Sequence, residues 1–181
     1  MTKRTLVRGA LGIVGLAIGF AAVLALREAT LSTHEAVAGR AHELLYQFGV
    51  GLGFLGKVDS TGAPRVHPLC PIICDGELYL LVVPGPKRRD LERDGRFALH
   101  SFPRPDDEDA AYLTGRALAI ADEPQRRAGV ERQFLDERST IPIAPESLVE
   151  QALFCLDVER CLVTTTVGHG DPAPRHEVWR V

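Results

Sequence analysis

Short runs in which apolar and polar residues alternate fill much of the chain after residue 50, a pattern typical of β-strands. The first run begins at Phe54 and ends in Asp59-Ser60-Thr61-Gly62, whose residue types favour a turn. The next run, residues 64–71, contains three prolines, which cannot donate to a neighbouring strand. It should therefore lie at a sheet edge, or bend beside a ligand. Asp75-Gly76 then turns the chain into residues 77–83, which predicts a hairpin between these two runs.

The pattern also predicts two helices and further strands. Apolar residues recur at helical spacing from Thr33 to Phe48, behind a capping arrangement of Ser32 and Glu35. Pro124 marks a second helix start, and that helix is predicted over residues 125–137. The remaining strands are predicted at residues 96–102, 110–121, 152–167 and 177–181. The sequence thus indicates a mainly β domain with flanking helices.

Residues 1–30 differ in composition from the rest of the chain. Three basic residues precede the uncharged segment of residues 9–26, whose length is close to the lower limit for a membrane span. We therefore expect an N-terminal hydrophobic anchor or export signal at residues 1–30, and one domain at residues 31–181. Because the positive charges come first, a single helix of this kind would anchor the domain outside the membrane. Two alternatives remain open: a cleaved export signal, and a start codon placed too far upstream, which would make the protein cytoplasmic.

Length and composition narrow the class of protein. A chain of 181 residues is long enough for one domain with a hydrophobic core. Its formal net charge of −3 gives no general attraction to nucleic acid and argues against such a partner. The four cysteines fit neither a disulfide scaffold nor a zinc pattern, so we expect reduced thiols. The acidic residues 106–109 lack the spacing of a calcium loop, and no metal site is expected.

A cluster of positive charge follows the strand at residues 77–83. Lys87, Arg88 and Arg89 come after a Pro-Gly-Pro break and directly before Asp90-Leu91-Glu92-Arg93, which has helical composition. The N–H groups at a helix N-terminus have no partner inside the helix, and the helix dipole adds positive charge there. With three cations beside it, and Arg65 on the preceding strand, this corner should bind a phosphate.

Four segments carry a resemblance to a known family. They are GAPRVHPLCPI at residues 62–72, ELYLLVV at 77–83, PKRRDLERDGRFALHSF at 86–102 and YLTGRALAIADEP at 112–124. Taken in this order, they resemble the pyridoxamine 5'-phosphate oxidase-like FMN-binding split-barrel proteins, particularly the small bacterial general-stress and oxidase-like members. The resemblance covers roughly residues 40–180. It implies a six-stranded antiparallel split barrel that forms a homodimer and holds FMN in the groove between the subunits.

The resemblance also implies where the cofactor contacts the chain. The candidate cofactor-binding residues are Arg65, Val66, His67, Pro68, Lys87, Arg88, His100, Ser101 and Trp179. The strand that begins at Arg65 would lie along the flavin ring and ribityl chain, and Lys87 with Arg88 would bind the phosphate. Trp179 would stack on the isoalloxazine of the partner subunit, or else close the core.

These expectations lead to two hypotheses on function. The first is an FMN-dependent oxidoreductase that transfers hydride between the flavin and a small-molecule substrate; no catalytic residue is assigned, because the cofactor carries the redox chemistry. The alternative is a non-catalytic binding or sensor module for flavin, deazaflavin or haem. Oxidation of pyridoxamine 5'-phosphate, the reaction of the enzyme that gives the family its name, is not expected. Residues 175–180 only approximate the arginine-and-histidine cluster that this reaction would require by the resemblance.

Overall fold

The computed structural model describes residues 35–140 and 142–180. The chain divides into two compact units, Met1–Ala36 and Val37–Val181, and the strands among the described residues lie in the second. The hydrophobic segment of residues 9–26 and the start of the first predicted helix lie outside the described residues. None of the helices in the described ranges is long and apolar enough to cross a membrane.

The described part of the second unit is mainly β, as the sequence predicts. Its strands, in chain order, are β1 (Gly53–Val58), β2 (Pro64–Leu69), β3 (Ile72–Cys74), β4 (Glu77–Val82), β5 (Arg96–Ser101), β6 (Ala110–Ile120), β7 (Ala152–Thr165) and β8 (Arg175–Arg180). They form one antiparallel sheet in the order β2-β1-β5-β6-β7-β4-β3, with β8 also paired to β7. The described residues thus contain eight strands rather than the expected six.

The helices flank this sheet. They are α1 (residues 35–45), α2 (Pro86–Arg93), α3 (Pro124–Asp136) and a short 3₁₀ turn, Pro145–Leu148. On α1 the apolar residues at helical spacing, Val37, Ala41 and Leu44, are buried in the main core. Leu55 of β1 and Leu99 of β5 belong to the same core, so the helix covers one face of the sheet.

The predicted hairpin at Asp75-Gly76 is confirmed, but its first arm is the short β3 rather than the whole proline-rich run. The strand that begins at Pro64 pairs with β1, and only the short β3 pairs with β4. The chain leaves β2 at Cys70-Pro71, where proline has no N–H to continue a ladder. The prediction that the proline-rich strand lies at a sheet edge is confirmed, because β2 ends the strand order and has β1 as its neighbour.

The sheet opens along one edge of its longest strand. Residues 152–155 of β7 pair with β4, and residues 160–165 pair with β8. Residues 156–159 lie between these partners and have no pairing strand on that edge among the described residues. On the other edge, the β6–β7 register shifts between Thr114 and Gly115. A bulge of this kind bends a strand pair, and here it lies level with the opening.

Candidate functional site

The N-terminus of α2 carries the basic triplet inside its first turn. The helix begins at Pro86, so Lys87, Arg88 and Arg89 are helical residues, whereas the sequence had placed them before the helix. Gly85 precedes Pro86 with a φ of 154°, and no side chain caps the helix. The first turn contains no acidic residue. Carboxylates stabilise this end of a helix and cations destabilise it, so the three positive charges of this turn interact unfavourably with the helix dipole.

The strands β1 and β2 bring further positive charge to the same corner. Lys57 of β1 and Arg65 of β2 are partners in the antiparallel register, and Leu55 and His67 are the next partners on the same face. Side chains of directly opposed residues project to one side of a sheet. The side chains of Lys57, Arg65 and His67 therefore lie on one face, next to α2.

One carboxylate organises these cations. Asp90 of α2 forms a buried ion pair with Lys57 through Oδ2, and its Oδ1 accepts a hydrogen bond of 2.8 Å from Arg93. Arg65 Nη1 lies 3.7 Å from the same Oδ2. The hydrogen bonds from Lys57 and then Arg93 lower the pKa of Asp90, so this carboxyl is ionised. We call Lys57, Arg65, His67, Lys87 and Asp90 the cationic corner.

Arg65 has a second carboxylate partner in the β1–β2 turn. Its Nη2 lies 3.0 Å from Oδ2 of Asp59. Asp59 is itself fixed, because its Oδ1 accepts hydrogen bonds from the Thr61 hydroxyl and from the N–H groups of Thr61 and Ala63. These bonds lower the pKa of Asp59 to about 2. The guanidinium of Arg65 is therefore held in place while 40% of its side chain remains exposed.

Lys87 contacts β2 rather than a carboxylate. Its Nζ lies 3.4 Å from the carbonyl oxygen of Pro68, and it forms no ion pair with the residues that the structure describes. Burial, followed by the charge of Lys57, lowers the pKa of Lys87. An ammonium group in this position is partly desolvated and uncompensated, so a bound anion would stabilise it.

His67 contributes a buried polar atom to the corner. Its Nε2 is buried and has no hydrogen-bond partner in the described part of the chain. Burial and the charges of Lys57, Lys87 and Arg65, in that order, lower the pKa of His67. The imidazole is thus neutral at pH 7. A buried polar atom without a partner is costly, and at a cationic surface it indicates a position for a ligand atom or a water.

The other two basic residues of the triplet have contacts that differ from those of Lys87. Arg88 donates to Glu92 at 2.7 Å and to the carbonyl oxygen of Glu150 at 3.4 Å, so its contacts lie towards the start of β7. Arg89 is exposed and lines a small cavity of about 350 Å³ together with Arg65 and Arg93. Lys87 thus lies beside β2 and Arg88 beside the start of β7, and their joint binding of one phosphate stays a prediction.

The remaining predicted residues lie elsewhere. Val66 and Pro68 are exposed on the opposite face of β2 from Arg65. His100 is exposed, and the register places it in one cross-strand row with Phe54 and Pro68. Ser101 is fully buried, and its hydroxyl accepts a hydrogen bond of 3.0 Å from the Ala111 N–H, a structural role. The nine candidates are thus distributed over β2, α2, β5 and β8.

Trp179 belongs to a second cavity. This half-buried residue of β8 packs against the main core and lines a cavity of about 560 Å³ at the opening between β4 and β8, which we call the split cavity. Its lining is largely apolar and includes His42, Leu113, Leu118, Cys155, Cys161 and Trp179. Burial raises the pKa of both thiols, that of Cys161 to about 11, so they are protonated at neutral pH.

Lys57 and Asp90 are the site residues that sequence reasoning missed. A signal for Lys57 was available, because Gly53, Leu55 and Lys57 occupy the alternate positions that face inward on β1. A lysine in the inward register of an apolar strand needs a buried counter-charge. Nothing in the sequence identifies that partner, since Asp90 lies 33 residues further along the chain.

Comparisons with known proteins bear on the fold. Neither a scan of protein-family models nor a search of curated proteins finds a match to this sequence. Solved structures do match. One is a haem-binding protein from Mycobacterium smegmatis, with 17% identity and a TM-score of 0.57, aligned over 80% of this chain and 57% of that one. The present chain therefore spans little more than half of that protein.

Two further structures match over more of their own length. A protein from Clostridium acetobutylicum, related to general stress protein 26 and to the pyridoxine phosphate oxidase family, has 14% identity and a TM-score of 0.58. It aligns over 81% of this chain and 96% of that one. HutZ, a haem storage protein from Vibrio cholerae, has 16% identity and a TM-score of 0.51, over 60% of this chain and 81% of that one.

At these identities the likeness establishes the fold alone. The chain has the split-barrel fold of the pyridoxine phosphate oxidase-like proteins, and the resemblance drawn from the sequence motifs is confirmed at that level. The fold and the site geometry together define a split barrel with a cationic corner at the edge of its sheet.

Proposed function

We propose that this protein is an FMN-binding oxidoreductase of the pyridoxamine 5'-phosphate oxidase-like split-barrel type, which transfers hydride between the flavin and a small-molecule substrate. The observation that carries the proposal is the first turn of α2, which has three cations, no acidic residue and no side-chain cap. Each cation at this end of a helix costs about 0.3–1 kcal/mol. A local arrangement that opposes folding is expected where function requires it.

The cationic corner fits a phosphate monoester. Lys87 offers a partly desolvated ammonium without a carboxylate partner, and Arg65 offers a guanidinium that is held in place and partly exposed. The buried Nε2 of His67 has no hydrogen-bond partner among the described residues, so it is available to a ligand atom. We assign the phosphate of FMN to these three residues and to the free N–H groups of the first turn of α2. When bound, FMN supplies the hydride acceptor and donor.

We extend the proposal to a homodimer, which the exposed face of β2 supports. Val66 is 66% exposed, and prolines 64 and 68 lie on the same face. An edge strand with an apolar outer face is a surface that a second copy can cover. Light scattering should give twice the chain mass for the wild-type protein and a smaller value for Val66→Glu. A monomeric wild-type protein would contradict this extension.

The absorbance spectrum of the purified protein tests the main proposal. FMN should give the two bands of oxidised flavin, and these should bleach when a nicotinamide reductant donates hydride to the flavin. A band at the shorter wavelength of a deazaflavin would change the assignment of the cofactor but not the proposed phosphate site. Protein that stays colourless after incubation with FMN and desalting would contradict the proposal.

A second candidate function is haem binding, and the split cavity is the observation that favours it. Its volume of about 560 Å³ and its apolar lining suit a large planar ligand. His42 at its margin is exposed, whereas the two protonated thiols are poor metal ligands. Two of the matched structures are of haem proteins. A Soret band that is lost in His42→Ala would support this function over the first.

A further inference from the structure

We infer that Lys57 is a positioning residue of the cationic corner: its ammonium group occupies Asp90 and thereby leaves Arg65 available to an anion. This inference rests on the proposed function, because it assumes that an anionic group binds at the corner. It assigns a role to a buried residue that does not itself reach the ligand.

The geometry shows two cations that compete for one oxygen. Lys57 Nζ and Arg65 Nη1 both approach Oδ2 of Asp90, Lys57 in direct contact and Arg65 at 3.7 Å. The Lys57 side chain is 1% exposed, whereas that of Arg65 is 40% exposed. The inner cation is therefore the one paired with the carboxylate, and the outer cation faces solvent.

The competition has a direct electrostatic consequence. Without Lys57, the charge of Asp90 would be balanced only by Arg93 and by whichever other cation can approach, and Arg65 is already within reach. Two opposite charges attract more strongly as their distance and the local dielectric constant fall. The Nη1 group of Arg65 would then close on Asp90 while Nη2 stays with Asp59, and the guanidinium would be less available to an incoming phosphate.

Lys57 also contributes to the potential that a ligand would meet. Its charge is among the causes that lower the pKa of both Lys87 and His67, so its ammonium lies close to both groups. Replacing it with a neutral side chain removes one positive charge from beneath the corner. Both effects, the withdrawal of Arg65 and the weaker potential, reduce anion binding.

The inference predicts changes of opposite sign for the two partners of the buried pair. Lys57→Met should weaken the binding of FMN about tenfold, as expected for the loss of one partly screened charge interaction. Asp90→Asn should strengthen it, because the corner gains positive charge while Asp59 still holds Arg65 in place. The double variant K57M/D90N should return to within about threefold of the wild-type affinity, since the two changes offset each other. A merely structural pair would give weaker binding in all three variants.

Calorimetric titration of the full chain with FMN, and separately with inorganic phosphate, distinguishes these outcomes, with the melting temperature of each variant recorded alongside. Lys57→Arg keeps the charge and should bind nearly as the wild type does. If Lys57→Met does not fold, Asp90→Asn still decides the question by the sign of its effect. Wild-type affinity in both single variants, or weaker binding in Asp90→Asn, would overturn the inference alone. Failure of the wild-type protein to bind either probe would overturn the proposed function as well.

Discussion

The ammonium group of Lys87 lies 3.4 Å from the carbonyl oxygen of Pro68, so the first turn of α2 contacts the edge strand β2. The two residues are 19 positions apart, and they meet because β2 and α2 both pack beside β1. This contact places Lys87, which forms no ion pair with the described residues, next to Arg65 and His67. The proposed phosphate site is thus assembled from one strand and one helix of the same chain.

Lys87→Ala should weaken FMN binding, because hydrogen bonds to charged groups contribute about 1.5–3 kcal/mol. The expected change is a rise of about 10- to 100-fold in Kd, measured by quenching of flavin fluorescence. Arg88→Ala is the matched control, since Arg88 is a neighbouring cation whose partners are Glu92 and Glu150. Its ion pair with Glu92 is partly exposed, and its loss should change Kd less than about threefold. Equal losses in the two variants would argue against the assignment of the phosphate to Lys87.

His67 should make stability depend on pH. Its pKa is lower in the folded protein than the usual 6.5, so the unfolded chain binds a proton more tightly than the folded one. The contribution of the neutral imidazole is therefore complete above pH 6.5 and is lost as the pH falls below it. The charged groups that face His67 are Lys57, Lys87, Arg65 and Asp90.

The check for His67 is a pair of denaturation series. In His67→Gln, the fall in unfolding free energy between pH 7.5 and pH 5.5 should be smaller than in the wild type. Nuclear magnetic resonance titration of the imidazole gives a second readout, because bound FMN should raise the pKa of His67 by adding negative charge. An identical pH dependence of the unfolding free energy in both proteins would show that the pKa of His67 is not lowered in the folded state.

Gly115 should be essential to the bulge between β6 and β7. A Cβ atom at this position would lie 1.9 Å from the carbonyl oxygen of Asp157, so the two strands would have to separate. Gly115→Ala should lower the free energy of unfolding by about 1–3 kcal/mol in urea denaturation. Gly39→Ala is the control, because that helical position is open and alanine should stabilise it by about 0.5–1 kcal/mol. Unchanged stability in Gly115→Ala would mean that the bulge relaxes freely.

Alternation of residue type was enough to predict most of the strands. The long strands β6 and β7 and the helix α3 lie within two residues of their predicted limits, because each has a clear pattern and clear flanking breaks. The first arm of the hairpin at Asp75-Gly76 was predicted too long, because the extent of pairing depends on tertiary packing, which a short turn does not determine. The break at Pro71 was visible in the sequence, but its effect on pairing was not.

The candidate site was predictable only in part. Sequence proximity correctly placed Lys87 at a helix start, yet it could not show that Arg88 turns towards Glu92 one helical turn later. The ion pair between Lys57 and Asp90 joins distant positions, so only the folded chain brings it into view. Val66 and His67 are neighbours in sequence, but they lie on opposite faces of β2, because side chains alternate along a strand.

The central claim is that the cationic corner binds the phosphate of a flavin. Equilibrium titration of the apo full-length protein with FMN and with riboflavin, which differ only in that phosphate, tests it most directly. FMN should bind at least about 100-fold more tightly than riboflavin, as two charge-assisted bonds to the phosphate would require. Equal affinity for the two flavins, or binding of neither, would contradict the claim.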